Sequence, residues 1–130
     1  MTPQKQSILS DKSNGIYGNC LVTCYASYFD LKADECPQFQ FLFDCKSPEG
    51  FWDEVVALWL RQMGYVRQWT LDNDPFITEQ YEDYYFASGV SSRGVSHLVI
   101  YKDGKLFHDP HPSNDGLVEV TCFHTLAKIR

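Results

Sequence analysis

A chain of 130 residues fits a single domain, and its 44% hydrophobic and 15% aromatic content is enough for a packed core rather than disorder. Its net charge of −6 disfavours a nucleic-acid partner, because neutralising phosphates requires a basic surface. No apolar stretch approaches the length that spans a bilayer, and the polar N-terminus lacks the apolar region of a signal peptide. We therefore expect no membrane association and a cytoplasmic location.

The five cysteines form an odd set in a chain with no export signal. A disulfide framework is typical of secreted chains with an even number of cysteines. We therefore expect reduced thiols, whose roles are core packing, metal binding or catalysis.

The first helix is predicted directly after a polar arm that covers residues 1–17. Gly15 and Gly18 bracket a turn, and Cys20 follows at the head of an apolar run. Apolar residues then recur at helical spacing as far as Phe29, which predicts a helix over about residues 20–29 with one buried face.

The second predicted helix covers residues 48–63. Ser47 is suited to cap it, Pro48 suits the first helical position, and Gly64 favours a stop after its last turn. Its apolar residues again follow helical spacing, so this helix also has a buried face.

The remainder of the chain changes to the two-residue period of strands. The predicted strands are Tyr65–Leu71, Asp83–Ser88, Val95–Tyr101, Leu106–Asp109 and Gly116–Val120, whereas the tail from Thr121 is ambiguous. Helices followed by antiparallel strands predict one α+β domain over residues 1–130, with N-terminal helices packed on a C-terminal antiparallel sheet.

An Asp103-Gly104 pair between two apolar runs predicts a β-hairpin, for which two registers compete. A two-residue turn sets Lys102 opposite Lys105. A three-residue loop sets Tyr101 opposite Lys105 and His97 opposite Asp109. We favour the second register because directly opposed residues share a face, and it brings an imidazole beside a carboxylate.

A thiol becomes a nucleophile as the thiolate, which a helix N-terminus and a neighbouring imidazolium both favour. Cys20 lies at a predicted helix start, and His97 is the expected base. Asp109 is expected to orient the imidazole, and the backbone N–H of Cys20 to donate to an oxyanion. The three residues together predict a Cys-His-Asp triad.

Gly18-Asn19-Cys20 at a helix start, His97 at a strand start and Asp109 at the end of the next strand resemble the papain-like cysteine hydrolases. The most similar in compactness are the bacteriocin leader peptidases, the NlpC-type cell-wall hydrolases and the transglutaminase core. The wider pattern "GNC…C.AS" with "ASG.S.RGV.H…HDPHPS..GL" is similar to a group of small bacterial and phage proteins. The resemblance implies a papain-like fold and Cys20, His97 and Asp109 as catalytic residues.

The oxyanion donor departs from the leader-peptidase pattern, which has Gln six residues before the cysteine. Asn14 stands at that position and is shorter, and Asn19 is a further candidate. The loop from Ser88 to Gly94 is either a substrate loop over the cleft, with Ser92 and Arg93 as contacts, or a plain solvated loop.

Structural roles compete with several of these assignments. His97 is alternatively a buried structural histidine and Asp109 a turn-capping residue. A zinc site of Cys20, Cys24, His108 and His111 matches no standard spacing, so we expect no metal or cofactor. The cysteines interpreted as core residues are Cys24, Cys36, Cys45 and Cys122.

The sequence therefore predicts a cysteine hydrolase or acyl-transferase that forms a thioester, which water or an amine resolves. Cleavage of a peptide-like amide in a peptide or protein substrate is the expected reaction. The alternative is a non-catalytic binding module on the same fold, such as a phage protein that inhibits a host protein or sequesters a small molecule. Substrate identity and oligomeric state stay open.

Overall fold

The fold is a five-stranded antiparallel sheet with two helices, in a computed structural model that describes residues 1–44, 51–71 and 81–129. The elements are α1 (Cys20–Phe29), α2 (Phe51–Gln62), β1 (Tyr65–Leu71), β2 (Tyr85–Val90), β3 (Ser96–Lys102), β4 (Lys105–His108) and β5 (Glu119–Lys128). The strands lie in the order β1-β5-β2-β3-β4. The predicted α+β class is confirmed.

Both predicted helices are present. α1 has the predicted bounds and ends at Asp30, which adopts the left-handed conformation with φ 59°. α2 ends at Gln62, and Gly64 follows with φ 89°, as expected for a glycine stop. The expected cap at Ser47 and Pro48 lies outside the described residues.

The last strand is the one that differs most from its prediction, because the predicted range is Gly116–Val120. It begins at Glu119 and continues through the ambiguous tail to Lys128. Gly116 cannot begin the strand because it has φ 67° and its N–H donates to the Asp109 carboxylate at 2.8 Å. The segment before Glu119 is therefore a loop around Asp109.

The sheet buries side chains on both faces. Tyr25 of α1 and Leu60 of α2 pack on one face, against Phe86 and Leu98 of the sheet. The opposite face has its own cluster, which consists of Tyr85, Ala87, Val99 and Phe123. Burial on both faces explains why β3 is apolar along its middle rather than strictly alternating.

The favoured hairpin register is wrong. Lys102 pairs with Lys105 across a two-residue turn in which Asp103 has φ 55° and Gly104 φ 79°. Two positive φ angles make a turn whose twist matches that of the flanking strands, so this turn closes the hairpin. The register then shifts, because Tyr101 pairs with Leu106 but Ile100 pairs with His108.

The register shift leaves Phe107 as an extra residue, a β-bulge that changes which residues share a face. β4 ends at His108, so Asp109 lies just beyond the paired residues of the strand, where its carboxylate contacts His97 of β3.

Substitution of Gly89, which pairs with His97 across the sheet, tests the fit between β2 and β5. A Cβ atom there would lie 1.9 Å from the Glu119 carbonyl oxygen, so backbone must shift. We expect Gly89→Ala to lower the free energy of unfolding by about 1–3 kcal/mol, measured by urea denaturation. Ser88→Ala on the same strand is the control, and equal stabilities of the two variants would contradict the expectation.

Candidate active site

Cys20 is the first residue of α1 and is partly exposed. Its thiol lies on the wall of a cavity of about 770 Å³ that His97 also lines. Among the described residues, its backbone N–H has no hydrogen-bond acceptor, as is usual for the first turn of a helix. Cys20 therefore combines an accessible sulfur with a free amide donor.

His97 and Asp109 form a buried ion pair. Nε2 of His97 lies 2.6 Å from Oδ1 of Asp109, and the two side chains are 4% and 0% exposed. Because Asp109 occupies Nε2, the other ring nitrogen, Nδ1, is the one left for Cys20. The structure thus joins two of the predicted site residues directly, although the register that suggested the pairing is wrong.

The Asp109 carboxylate has two further donors. The backbone N–H of His111 donates to Oδ1 at 2.8 Å, and that of Gly116 donates to Oδ2 at 2.8 Å. Burial disfavours the charged carboxylate, but the hydrogen bonds from His97 and these two amides outweigh it and lower the pKa of Asp109 to about 2. Asp109 therefore stays ionised beside His97.

The N-terminal arm fixes the loop that contains Asp109, a role the sequence did not indicate. Lys5 Nζ donates to the carbonyl oxygen of Asp109 at 2.7 Å and to that of His111 at 3.0 Å. The backbone N–H of Gln6 donates to the Pro110 carbonyl at 2.9 Å. These bonds span more than a hundred residues of chain, so no local pattern could have revealed them.

Cys20 lies close enough to His97 to affect its protonation. Burial disfavours the imidazolium, but the hydrogen bond to Asp109 and the interaction with the nearby Cys20 outweigh it. Together they raise the pKa of His97 to about 9. His97 is therefore a cation at neutral pH, and it lies next to the only predicted nucleophile.

The other cysteines differ from Cys20 in their surroundings. Cys24 is fully buried, and its thiol donates to the Leu98 carbonyl at 3.4 Å. Burial, with Cys20 and Asp109 nearby, raises the pKa of Cys24 well above its usual value. Burial also raises the pKa of Cys36, Cys122 lies on β5, and Cys45 lies outside the described residues.

The two asparagines expected as oxyanion donors both make hydrogen bonds to other parts of the chain. The Asn14 side chain donates to Asp11 at 2.6 Å on the surface and does not line the cavity. The buried Asn19 amide accepts from the Ile8 N–H at 3.1 Å and donates to Ser7 Oγ at 3.1 Å. Asn19 therefore attaches the arm to the start of α1.

Ser92 and Arg93 lie on the exposed turn between β2 and β3. Ser92 donates to Asp115 at 3.2 Å, and Arg93 donates to Ser113 at 3.3 Å. Neither residue lines the cavity, whereas Gly94 and Val95, the next two residues along the chain, do. The turn therefore reaches the cavity through its last two residues.

The zinc alternative does not assemble. His108 donates to the Gln4 carbonyl at 2.6 Å, and Cys24 is bonded to Leu98. Over residues 1–44, 51–71 and 81–129, no three His, Cys, Asp or Glu side chains are grouped as a metal site.

The cavity has two residues of interest that the sequence did not single out, Gln40 and His124. His124 stacks on Phe86 with ring centroids 4.8 Å apart, and its Nε2 lies 2.9 Å from the Tyr25 hydroxyl. The sequence signal was weak because His124 lies in the ambiguous tail and Gln40 lies outside the predicted elements.

Comparison with protein-family models, curated proteins and solved structures finds no match to this chain. The residues that the structure describes include no helix long and apolar enough to cross a membrane. The functional assignment below therefore depends on the geometry of the site.

Asp109→Asn tests the ion pair. Without the carboxylate charge, burial should dominate, so we expect the pKa of His97 to fall from about 9 toward or below 6.5 in an NMR titration of the ring. The stability that the pair contributes should be complete between pH 3.8 and 6.5. It should be lost as pH rises through 9 or falls through 2, and an unchanged His97 titration would refute the pairing.

Asn19→Ala tests the attachment of the arm. The substitution leaves the part-buried Ile8 N–H without its acceptor, so we expect a loss of about 1–3 kcal/mol in the free energy of unfolding, measured with urea. Asn14→Ala is the matched control, since it removes an exposed amide and should change stability by no more than about 0.5 kcal/mol. A larger effect at Asn14 than at Asn19 would reverse this assignment.

Proposed function

We propose that the protein is a cysteine hydrolase of the papain-like type that cleaves an amide bond through a thioester on Cys20. In this proposal His97 is the acid and base, and Asp109 orients it. The observation that supports it most is the His97 imidazole, which contacts the Asp109 carboxylate through Nε2 and lines the same cavity as Cys20.

Acylation begins from the Cys20 thiolate beside the His97 imidazolium. An imidazolium and a helix N-terminus are the two groups that stabilise a thiolate, and Cys20 has both as neighbours. The sulfur attacks the amide carbon and forms a C–S bond, while the carbonyl oxygen becomes an oxyanion. The oxyanion accepts a hydrogen bond from the free N–H of Cys20.

The tetrahedral intermediate then collapses and its C–N bond breaks. The leaving nitrogen takes a proton from His97 and departs as an amine, and the acyl group stays on Cys20 as a thioester. His97, now neutral, removes a proton from water, and the resulting hydroxide attacks the thioester carbon. The C–S bond breaks, which releases the carboxylic acid and restores the ion pair.

Asp109 contributes through orientation and charge rather than by taking the proton. Its Oδ1 accepts the Nε2–H of His97 and so directs Nδ1 toward Cys20. Three hydrogen bonds keep its own pKa low, so the Nε2 proton stays on the imidazole while the Nδ1 proton is transferred. The same hydrogen bonds make the carboxylate part of a rigid loop, which is what a catalytic orienting group needs.

Acetyl transfer from p-nitrophenyl acetate tests the proposal without knowledge of the natural substrate. We expect a burst of about one equivalent of p-nitrophenol and an acetyl group on the Cys20 peptide by mass spectrometry. At mildly acidic pH, iodoacetamide should likewise alkylate Cys20 ahead of the other cysteines. His97→Ala should slow both reactions by about 100-fold or more.

Cys122→Ser is the matched control, because it removes another partly exposed thiol that does not line the cavity. It should leave both reactions unchanged. Slow and uniform labelling of all exposed thiols, unaffected by His97→Ala, would refute the assignment of Cys20 as the nucleophile. That result would leave the chain as a binding module on the same fold.

A further inference from the structure

Residues 10–18 form a loop whose two ends meet just before α1, and we refer to this segment as the flap. The Gly18 N–H donates to Ser10 Oγ at 3.0 Å, and the N–H of the next residue, Asn19, donates to the Ile8 carbonyl at 3.1 Å. A Cβ atom on Gly18 would lie 2.8 Å from the Ser10 nitrogen, so this close crossing requires glycine. The flap is therefore a compact surface loop attached at its base, a type of loop that is frequently functional.

The flap has its own hydrogen bonds. Asp11 and Ile16 exchange two backbone hydrogen bonds of 2.9 Å. The Asp11 carboxylate also accepts from Ser13 at 2.7 Å and from Asn14 at 2.6 Å. Residues 12–17 are exposed, so the flap adds little to the core of the domain. Because its bonds are internal, the flap can keep its shape while it moves relative to the sheet.

A single hydrogen bond connects the flap to the other side of the cavity. Lys12 Nζ donates to the Gly94 carbonyl at 2.8 Å, and both residues line the cavity that contains Cys20 and His97. Among the described residues, this is the one hydrogen bond that joins residues 11–16 to the sheet or its turns. It is exposed, and an exposed hydrogen bond exchanges readily with water, so it attaches the flap only weakly.

Two large side chains of the flap are exposed on the cavity wall. Ile16 and Tyr17 are each 45% exposed, and both line the cavity. Trp69 of β1 is 51% exposed and lines the cavity as well. Closure of the flap over a bound substrate removes such apolar surface from water, which favours the closed position when a substrate is present.

We propose that the flap is a lid over the catalytic cavity, and that the Lys12–Gly94 hydrogen bond is the latch that keeps it closed. When the latch breaks, the flap turns about the crossing of Ser10 and Gly18 and admits molecules that the closed cavity excludes. The lid therefore selects by size what reaches Cys20. This inference rests on the proposed function for the role of Cys20, and it adds a conformational step before the attack.

Alkylation by two reagents with the same reactive group but different sizes, iodoacetamide and iodoacetamidofluorescein, tests the lid. Mass spectrometry of the whole chain at about pH 8.5, where ordinary thiols react, compares Cys20 with Cys122, a partly exposed thiol outside the cavity. Relative to Cys122, we expect Cys20 to react about tenfold more slowly with the large reagent than with the small one. Lys12→Ala removes the latch, so it should accelerate only the large reagent, by about fivefold.

Lys105→Ala is the matched control, because it removes an exposed lysine that does not line the cavity, and it should leave both rates unchanged. Loss of a positive charge by itself would slow the anionic fluorescein reagent, so a faster reaction reports opening rather than charge. Hydrogen exchange is the second readout. In Lys12→Ala we expect the amides of Asp11 and Ile16, which bond within the flap, to keep their protection.

Three results would overturn the lid: equal wild-type rates for the two reagents, no acceleration of the large reagent in Lys12→Ala, or equal acceleration of both. Lost protection at Asp11 and Ile16 would overturn it too, since the flap would then unfold rather than move as a unit. Because ordinary thiols react at this pH, an inactive nucleophile would leave the test intact. Conversely, a flap that does not open would leave acetyl transfer to Cys20 intact, so failures of the two proposals are distinguishable.

Discussion

The buried hydrogen bond between His97 and Asp109 unites the parts of the chain on which the site depends. Asp109 accepts from His97 of β3, from the backbone of His111 and from Gly116 of the loop before β5. Lys5 bonds to the carbonyl oxygen of the same residue, so the N-terminal arm is attached as well. A buried carboxylate is tolerated only with such complete pairing, and the pairing in turn fixes the surrounding loops.

Two thiols one helical turn apart differ because of where α1 begins. Cys20 is at the first turn, where backbone N–H groups are free and the cavity reaches the sulfur. Cys24 lies one turn later against β3, where burial raises its pKa and its thiol donates to Leu98. The helix N-terminus and the imidazolium therefore act on only one member of the pair.

The sequence correctly predicted the features that interactions between neighbouring residues determine, which are the first helix and the hairpin turn. The apolar spacing placed α1 at Cys20–Phe29, and the Asp103-Gly104 turn placed the hairpin. The bulge at Phe107 has no sequence signature, so the register could not be derived even though the His97–Asp109 contact was expected. Lys5 and His124 were missed because tertiary contacts across most of the chain give them their positions.

The two histidines of the cavity illustrate how one fold gives the same side chain two different charge states. Both are buried, which alone would keep both neutral. Asp109 and Cys20 raise the pKa of His97 to about 9, whereas the nearby Arg67 cation reinforces burial and lowers that of His124 to about 3. Because His124 stays neutral near pH 7, His97 is the one of the two that is a cation there.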